Sequence, residues 1–275
     1  ELDTHDHIKT GHDTSKFGIP LDQLDAAISK ILRNAKVRLI GLHAHIGSQA
    51  MDLGPYLESV DLFADLYLEI QKKFNLTLPH LDVGGGLGIA YTEADKPLSM
   101  QHWARVVSER VKTAFKSRNL ALPELSVEPG RAIVGNAGVT LYSTGHLKQL
   151  PGGTNYLAVD GGMADNPRPI TYQAQYTAAV ANRMKPEAEA KSWSIVGRYC
   201  ESGDIIVEEA KLDARDGDLI AIFATGAYNY SMSSNYNRTG RPACVLVRNG
   251  QAEVIIERET CTDLVSHDRV PSWLT

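Results

Sequence analysis

Leu78-Pro79-His80-Leu81-Asp82-Val83-Gly84-Gly85-Gly86-Leu87-Gly88, residues 78–88, runs an apolar strand-like segment straight into a row of glycines. Two other segments behave alike: residues 37–42 lead into His43-Ala44-His45-Ile46-Gly47-Ser48, and residues 125–128 into Pro129-Gly130-Arg131. Between them lie two helix-period segments. The first falls between Pro55 and Phe74, with Val60, Phe63, Tyr67, Ile70 and Phe74 three or four residues apart on one face. The second puts Trp103, Val106, Val107, Val111, Ala114 and Phe115 on one stripe and Arg105, Glu109 and Lys112 elsewhere. The βαβαβ order predicts a parallel sheet. Its strand ends at His45, Gly84 and Glu128 are 39 and 44 residues apart, the length of one βα unit with its loops. Polar and glycine chemistry gathers at the carboxyl ends of the strands, where barrel enzymes of this layout keep their sites.

Beyond Arg131 the texture changes to short apolar runs at residues 156–159, 205–207, 219–223, 243–247 and 253–256, bounded by Gly, Asp and Asn. This predicts an all-β domain, an antiparallel sandwich or barrel. Eight strands close a parallel barrel, and three precede the β region. The expected fold class is therefore α/β plus all-β: the C-terminal part of a (β/α)8 TIM-like barrel over residues 1–130, then an antiparallel β-sandwich or barrel over 131–275.

Composition narrows the function. With 275 residues, 43% hydrophobic and 22% charged, the chain has the make-up of a folded globular protein. Lys plus Arg number 28 against 33 Asp plus Glu, a formal charge of −5 with no basic block, which disfavours nucleic-acid binding. No run approaches the roughly 18 apolar residues of a membrane span. Glu1-Leu2-Asp3-Thr4-His5 lacks the pattern of a signal peptide, so the expected setting is cytoplasmic, without a membrane partner. Cys200, Cys244 and Cys261 are odd in number and lack paired spacing, which argues against a disulfide framework and against a metal cluster.

The glycine run fails the dinucleotide pattern, since the last glycine of G-x-G-x-x-G falls on Ile89 or Tyr91. Glycines at a strand end nevertheless expose backbone N–H groups to a phosphate oxygen, or simply make a tight turn. His45 meets Ser48 and open backbone at the next strand end, as a ligand-contacting or a structural histidine. Glu128, stopped by Pro129, sits three residues from Arg131, to which an ion pair is the plain alternative. Cys200-Glu201-Ser202-Gly203-Asp204 places a thiol beside a carboxylate; taken singly, Cys200 reads better as a buried inert cysteine. The loop Gly226-Ala227-Tyr228-Asn229-Tyr230-Ser231, followed by Asn235-Tyr236-Asn237, binds ligand or caps the β domain.

Seven motifs in order carry a resemblance: Thr10-Gly11 with Ser15-Lys16-Phe17-Gly18, the His43 to Gln49 segment, Asp82-Val83-Gly84-Gly85-Gly86-Leu87-Gly88-Ile89, Glu128-Pro129-Gly130-Arg131, Asp165-Asn166-Pro167-Arg168-Pro169, the Cys200 to Asp204 segment and Gly226-Ala227-Tyr228. Together they resemble the alanine-racemase-like, fold-type III decarboxylases that use pyridoxal 5'-phosphate, over essentially the whole chain. Within that family the match is nearest to the branch that converts meso-diaminopimelate to L-lysine. The resemblance implies that His45 stacks on the pyridine ring, that Gly85, Gly86 and Ser48 with Gly130 and Arg131 line the cofactor, and that Glu128 faces the ring nitrogen. It further implies that Arg131, Arg168 and Tyr172 bind the substrate's distal carboxylate, Glu201 its distal amine, and Tyr228 both cofactor phosphate and substrate. Cys200 becomes the acid, and the family's homodimers place Cys200 and Glu201 in the partner's site.

The family's Schiff-base lysine lies in a Tyr-Ala-x-Lys-Ala-Asn-like motif on an earlier barrel strand, and nothing in the chain matches it. The chain is therefore expected to begin late in the barrel, and as it stands not to decarboxylate. The alternatives are a decarboxylase of arginine, ornithine or a carboxylated polyamine, and a non-catalytic regulatory homologue. Arg168, Tyr172 and Glu201 together suit an amino acid terminus, which favours diaminopimelate.

Overall fold

The computed structural model describes residues 16–183, 185 and 189–274. Thr10, Gly11 and Ser15 of the first motif lie outside them. The chain divides into two compact units, Glu1–Asn136 and Ala137–Thr275, so Arg131 goes with the first.

The first unit runs α1 (Leu24–Leu32), β1 (Gly41–His43), α2 (Gly54–Phe74), β2 (His80–Asp82), α3 (Met100–Ser117), β3 (Glu124–Ser126) and α4 (Arg131–Val134). The three strands form a parallel sheet in the order β1-β2-β3. Each is three residues long, shorter than the apolar runs suggested. Pro79 has no N–H to give to a ladder, and beyond Asp82 the glycine turn replaces regular pairing. Backbone bonds continue past the strand ends, from Ala44 N–H to Asp82 O at 3.4 Å and from Val83 N–H to Ser126 O at 3.2 Å.

α2 begins with Pro55 in its first turn and ends at Asn75, whose φ of 52° is left-handed. Ser99 caps α3 by accepting from the His102 N–H at 3.2 Å. The expected faces are the buried ones: Val60, Phe63, Tyr67 and Ile70 on α2, and Trp103, Val107, Val111, Ala114 and Phe115 on α3. Phe74 and Val106 are half-buried. The helices meet edge-to-face, Tyr56 on Trp103 at 5.4 Å between ring centroids and Tyr67 on Phe115 at 5.2 Å. They close with Leu78, Leu81, Val83 and Leu87 into one apolar core.

The second unit comprises β4 (Val139–Lys148), β5 (Tyr156–Val159), α5 (Arg168–Tyr172), β6 (Ala178–Val180), β7 (Lys191–Val196), β8 (Ile205–Leu212), β9 (Leu219–Phe223), α6 (Asn229–Met232), β10 (Cys244–Arg248), β11 (Gln251–Ile256) and α7 (Cys261–Val265). All five predicted runs fall on strands. Two expectations need correction. The unit is not all-β, because α5, α6 and α7 interrupt it; at four or five residues they are too short to show a helical period. Nor is it wholly antiparallel: in the six-stranded sheet β6-β9-β4-β5-β7-β8, β5 and β7 run parallel, with Tyr156 opposite Ser194. The hairpin β10-β11 is a separate two-stranded sheet turned at Asn249-Gly250, with φ of 50° and 76°. Elsewhere in the unit Arg183 pairs with Asp213 at 2.9 Å and Asp218 at 2.6 Å.

Candidate active site

Strand register sets where the polar side chains of the first unit emerge. His43 pairs in register with Asp82, and Asp82 with Ser126, so the chain leaves all three strands at one edge. Two residues on come His45, Gly84 and Glu128, and the Glu128 N–H still bonds Gly84 O at 2.9 Å. Across this edge His43 Nε2 lies 2.9 Å from Glu128 Oε2, and ligand atoms of His43, Asp82 and Glu128 all fall within 4.8 Å of one another. Both His43 and Glu128 are about half exposed, so the carboxylate is open to a solute.

The glycine run is held by its own backbone. Gly84 N–H donates to Asp82 Oδ1 at 2.8 Å and Gly85 N–H to His45 Nδ1 at 3.2 Å. Tyr56, reaching up from α2, donates its hydroxyl to Gly85 O at 3.0 Å. A Cβ on Gly85 would overlap the Glu128 carbonyl oxygen, and one on Gly86, whose φ is 95°, the Gly47 carbonyl oxygen. With the N–H groups of Gly84 and Gly85 engaged, and Gly86 O accepting the Ala50 N–H at 2.8 Å, the Gly86 N–H is the one of the run that these contacts do not use.

The Gly85 bond also fixes the chemistry of His45. An Nδ1 that accepts a hydrogen bond carries no proton, so the neutral ring has its proton on Nε2. Burial lowers the His45 pKa below its ordinary 6.5, against an opposing pull from the Glu128 carboxylate.

Ser48 and Arg131 meet directly, Arg131 Nη2 donating to Ser48 Oγ at 2.9 Å while Nη1 donates to the Tyr91 hydroxyl. Arg131 is buried at the start of α4, where Gly130 is the exposed residue before the helix. Gln49 clamps Ile89 through both its backbone groups, and Ala50 bridges to Leu87. The first two turns are thereby stitched into one layer.

In the second unit Arg168 is buried at the start of α5 and donates to the Tyr176 hydroxyl at 2.6 Å. Tyr176 passes the bond on to Asn229 Oδ1 at 3.2 Å, beside the partly exposed Tyr228. Tyr172 is half-buried at the last position of α5. Cys200 is exposed, which overturns its reading as a buried inert cysteine, and all three cysteines are free. Glu201, also exposed, accepts from the Tyr236 hydroxyl, whose ring packs edge-on against Tyr199 at 5.7 Å. His43, Asp82, Tyr56, Tyr91, Tyr176 and Asn229 were not singled out by sequence as site residues. His43 and Asp82 carried a signal, since each is the last strand residue before a marked turn.

Two family models match the chain: "Pyridoxal-dependent decarboxylase, pyridoxal binding domain" over residues 1–135, and "Pyridoxal-dependent decarboxylase, C-terminal sheet domain" over 106–226. Diaminopimelate decarboxylase of Synechocystis sp. is 47% identical over 275 residues, covering 100% of this chain and 58% of the relative. That of Bacillus subtilis is 44% identical over 271 residues, covering 98% and 62%. Among solved structures, diaminopimelate decarboxylase from M. jannaschii in complex with L-lysine superposes with a TM-score of 0.90 at 35% identity, covering 99% of this chain and 62% of that one. The chain thus spans about three fifths of the length of these relatives.

Proposed function

Because the chain belongs to the pyridoxal-dependent decarboxylase family, we propose that the protein uses pyridoxal 5'-phosphate to decarboxylate meso-diaminopimelate to L-lysine. The observation that carries this reading is the meeting of Glu128, His45 and the glycine run at the ends of three adjacent parallel strands. The residues fit the cofactor. An open carboxylate suits a protonated ring nitrogen, a neutral imidazole suits the ring face, and a Cβ-free Gly86 suits a phosphate. When bound, the cofactor supplies an electron sink for the pair left behind as carbon dioxide departs.

The chain's own groups then divide the work. Glu128 would hold the ring nitrogen in its protonated form, and His45, pinned through Nδ1 by Gly85, would offer an uncharged ring to the cofactor. Gly86, Ser48, Gly130 and Arg131 would hold the phosphate and the adjoining substrate end, with Tyr228 as a further contact. Arg131, Arg168 and Tyr172 orient the distal carboxylate, for which the planar guanidinium fork is suited. Glu201 receives the distal amine, and the Cys200 Sγ hands a proton to the substrate carbon that has lost its carboxylate.

The same reading makes the fold the C-terminal part of a (β/α)8 barrel joined to a β-sandwich or barrel. It also makes the protein a cytoplasmic homodimer whose Cys200 and Glu201 enter the partner's site. Three free cysteines suit a reducing compartment, and no described helix is long and apolar enough to cross a membrane. Hairpin β10-β11 exposes Leu246, Val247, Val254 and Ile255, an apolar surface of the kind that subunits cover. The test uses the product of the whole reading frame with the cofactor, offered meso-diaminopimelate, ornithine and arginine. Lysine formation from diaminopimelate at the highest kcat/KM is expected; preference for ornithine or arginine, or no turnover, overturns the assignment. A monomer by light scattering overturns the dimer.

A further inference from the structure

Two of the motifs end or begin on an aspartate that the proposed chemistry does not use. Asp204 closes the Cys200 segment and Asp165 opens the Arg168 segment. Asp204 is 3% exposed, and its carboxylate reaches across to the turn two residues ahead of the other motif. Oδ1 accepts the Met163 N–H at 2.7 Å and Oδ2 the Tyr199 N–H at 2.9 Å. Its backbone closes the turn itself: Asp204 O accepts from Gly197 N–H at 2.9 Å, and Asp204 N–H donates to Glu201 O at 3.1 Å. A third strut joins the two segments, from Arg198 N–H to Gly161 O at 3.0 Å.

The surroundings are shaped to this carboxylate. A Cβ on Gly162 would come within 2.6 Å of its oxygens, and one on Gly197 would overlap it. From Gly162 the order passes forward: Asp165 Oδ1 accepts the Gly162 N–H at 3.0 Å, Asp165 also receives the Tyr142 hydroxyl, and the Asn166 N–H returns to Gly162 O at 2.8 Å. Two residues on, Arg168 starts α5. A carboxylate that receives two backbone N–H groups in a water-poor pocket is a rigid joint, because neither donor has another partner at hand if it opens.

We propose that Asp204 is a positioning residue, pinning the turn that carries Cys200 and Glu201 to the segment that presents Arg168, so that the proton donor offered to the partner's site and the carboxylate anchor of the chain's own site are placed by one rigid element. This rests on the roles proposed above for those three residues. Asp204→Asn is the probe, since it keeps the shape but turns one acceptor into an N–H₂ facing a backbone N–H. In the active protein it should lower kcat/KM for diaminopimelate by about tenfold to a hundredfold, the scale of a small misplacement of reacting groups. Cofactor affinity and absorbance should not move. In a Cys200→Ala background the same substitution should cost several-fold less than in the wild type, because the proton donor it positions is already gone and only the misplacement of Glu201 and Arg168 remains. Equal cost in both backgrounds, or loss of cofactor, overturns the proposal.

Hydrogen exchange on the unmutated protein tests the joint even if the variant does not fold, and without any turnover. Met163, Gly197 and Tyr199 amides should be protected and open together; exchange of the Met163 or Tyr199 amide at the rate of a free peptide overturns it. An absence of decarboxylation in the unmutated protein with these amides protected together refutes the function and leaves the joint standing.

Discussion

Replacing Tyr56 by phenylalanine removes one oxygen atom from beneath the glycine run. The ring stays, buried at 1% exposure against Trp103, so the apolar packing is kept. What is lost is the donor to Gly85 O, and that carbonyl is left in a buried position. An unsatisfied buried acceptor costs about 1–3 kcal/mol, and this is the expected loss in unfolding free energy by urea titration at unchanged m-value. Because the N–H of the same glycine fixes His45, part of that loss should appear in cofactor affinity, where about 1.4 kcal/mol is tenfold. Tyr67→Phe is the control. Its hydroxyl donates to His80 O and accepts the Leu42 N–H at 3.2 Å, at the first residue of β2 and the middle one of β1, away from the glycine turn. It should destabilise by a similar amount and leave the cofactor dissociation constant unchanged. The reasoning is refuted if Tyr56→Phe costs less than about 0.5 kcal/mol, or if the two variants weaken the cofactor equally.

Gly86→Ala places a side chain at a φ of 95° and against the Gly47 carbonyl; cofactor titration by absorbance should show binding lost, with destabilisation of about 1 kcal/mol or more. For acid stability, the Arg183 guanidinium holds the Asp218 carboxyl below its ordinary 3.8, so the pair contributes stability that is complete above that pH and lost as pH falls through the lowered value. Asp218→Asn should therefore be less stable than wild type at neutral pH, with the gap in urea midpoint closing in strong acid; a constant gap would contradict the linkage.

In the first unit β1 to β3, α2 and α3 were legible because period and punctuation agree there, whereas α1 and α4 were not anticipated. Apolar residues three and four apart mark α2 and α3, and each strand announces its end with His, Gly or Pro. The Asn249-Gly250 turn is a further local signal. What was not legible depends on which strand lies beside which. His43 and Glu128 meet across 85 residues only because β1, β2 and β3 are neighbours in register, and the parallel pairing of β5 with β7 leaves no trace in either strand's composition. Arg168 illustrates the same limit. Its flanking prolines are visible in sequence, yet its contact with Tyr176 and the onward bond to Asn229, 53 residues further, follow from the folded unit alone. The exposure of Cys200 was missed because a cysteine after an apolar strand is more often covered.

The edge where His45, Gly86 and Glu128 emerge draws on three stretches of chain that lie dozens of residues apart, so no short peptide owns it and an unfolded chain has no hold on what binds there. Anything captured at that edge therefore adds to the stability of the folded unit by mass action, about 2.7 kcal/mol when its concentration is a hundred times the dissociation constant. That is as much as many single damaging substitutions remove. A cell's supply of the bound molecule thus sets how much mutational load this unit withstands, and a lineage well supplied with it can carry sequence changes that would unfold the same unit in a starved one.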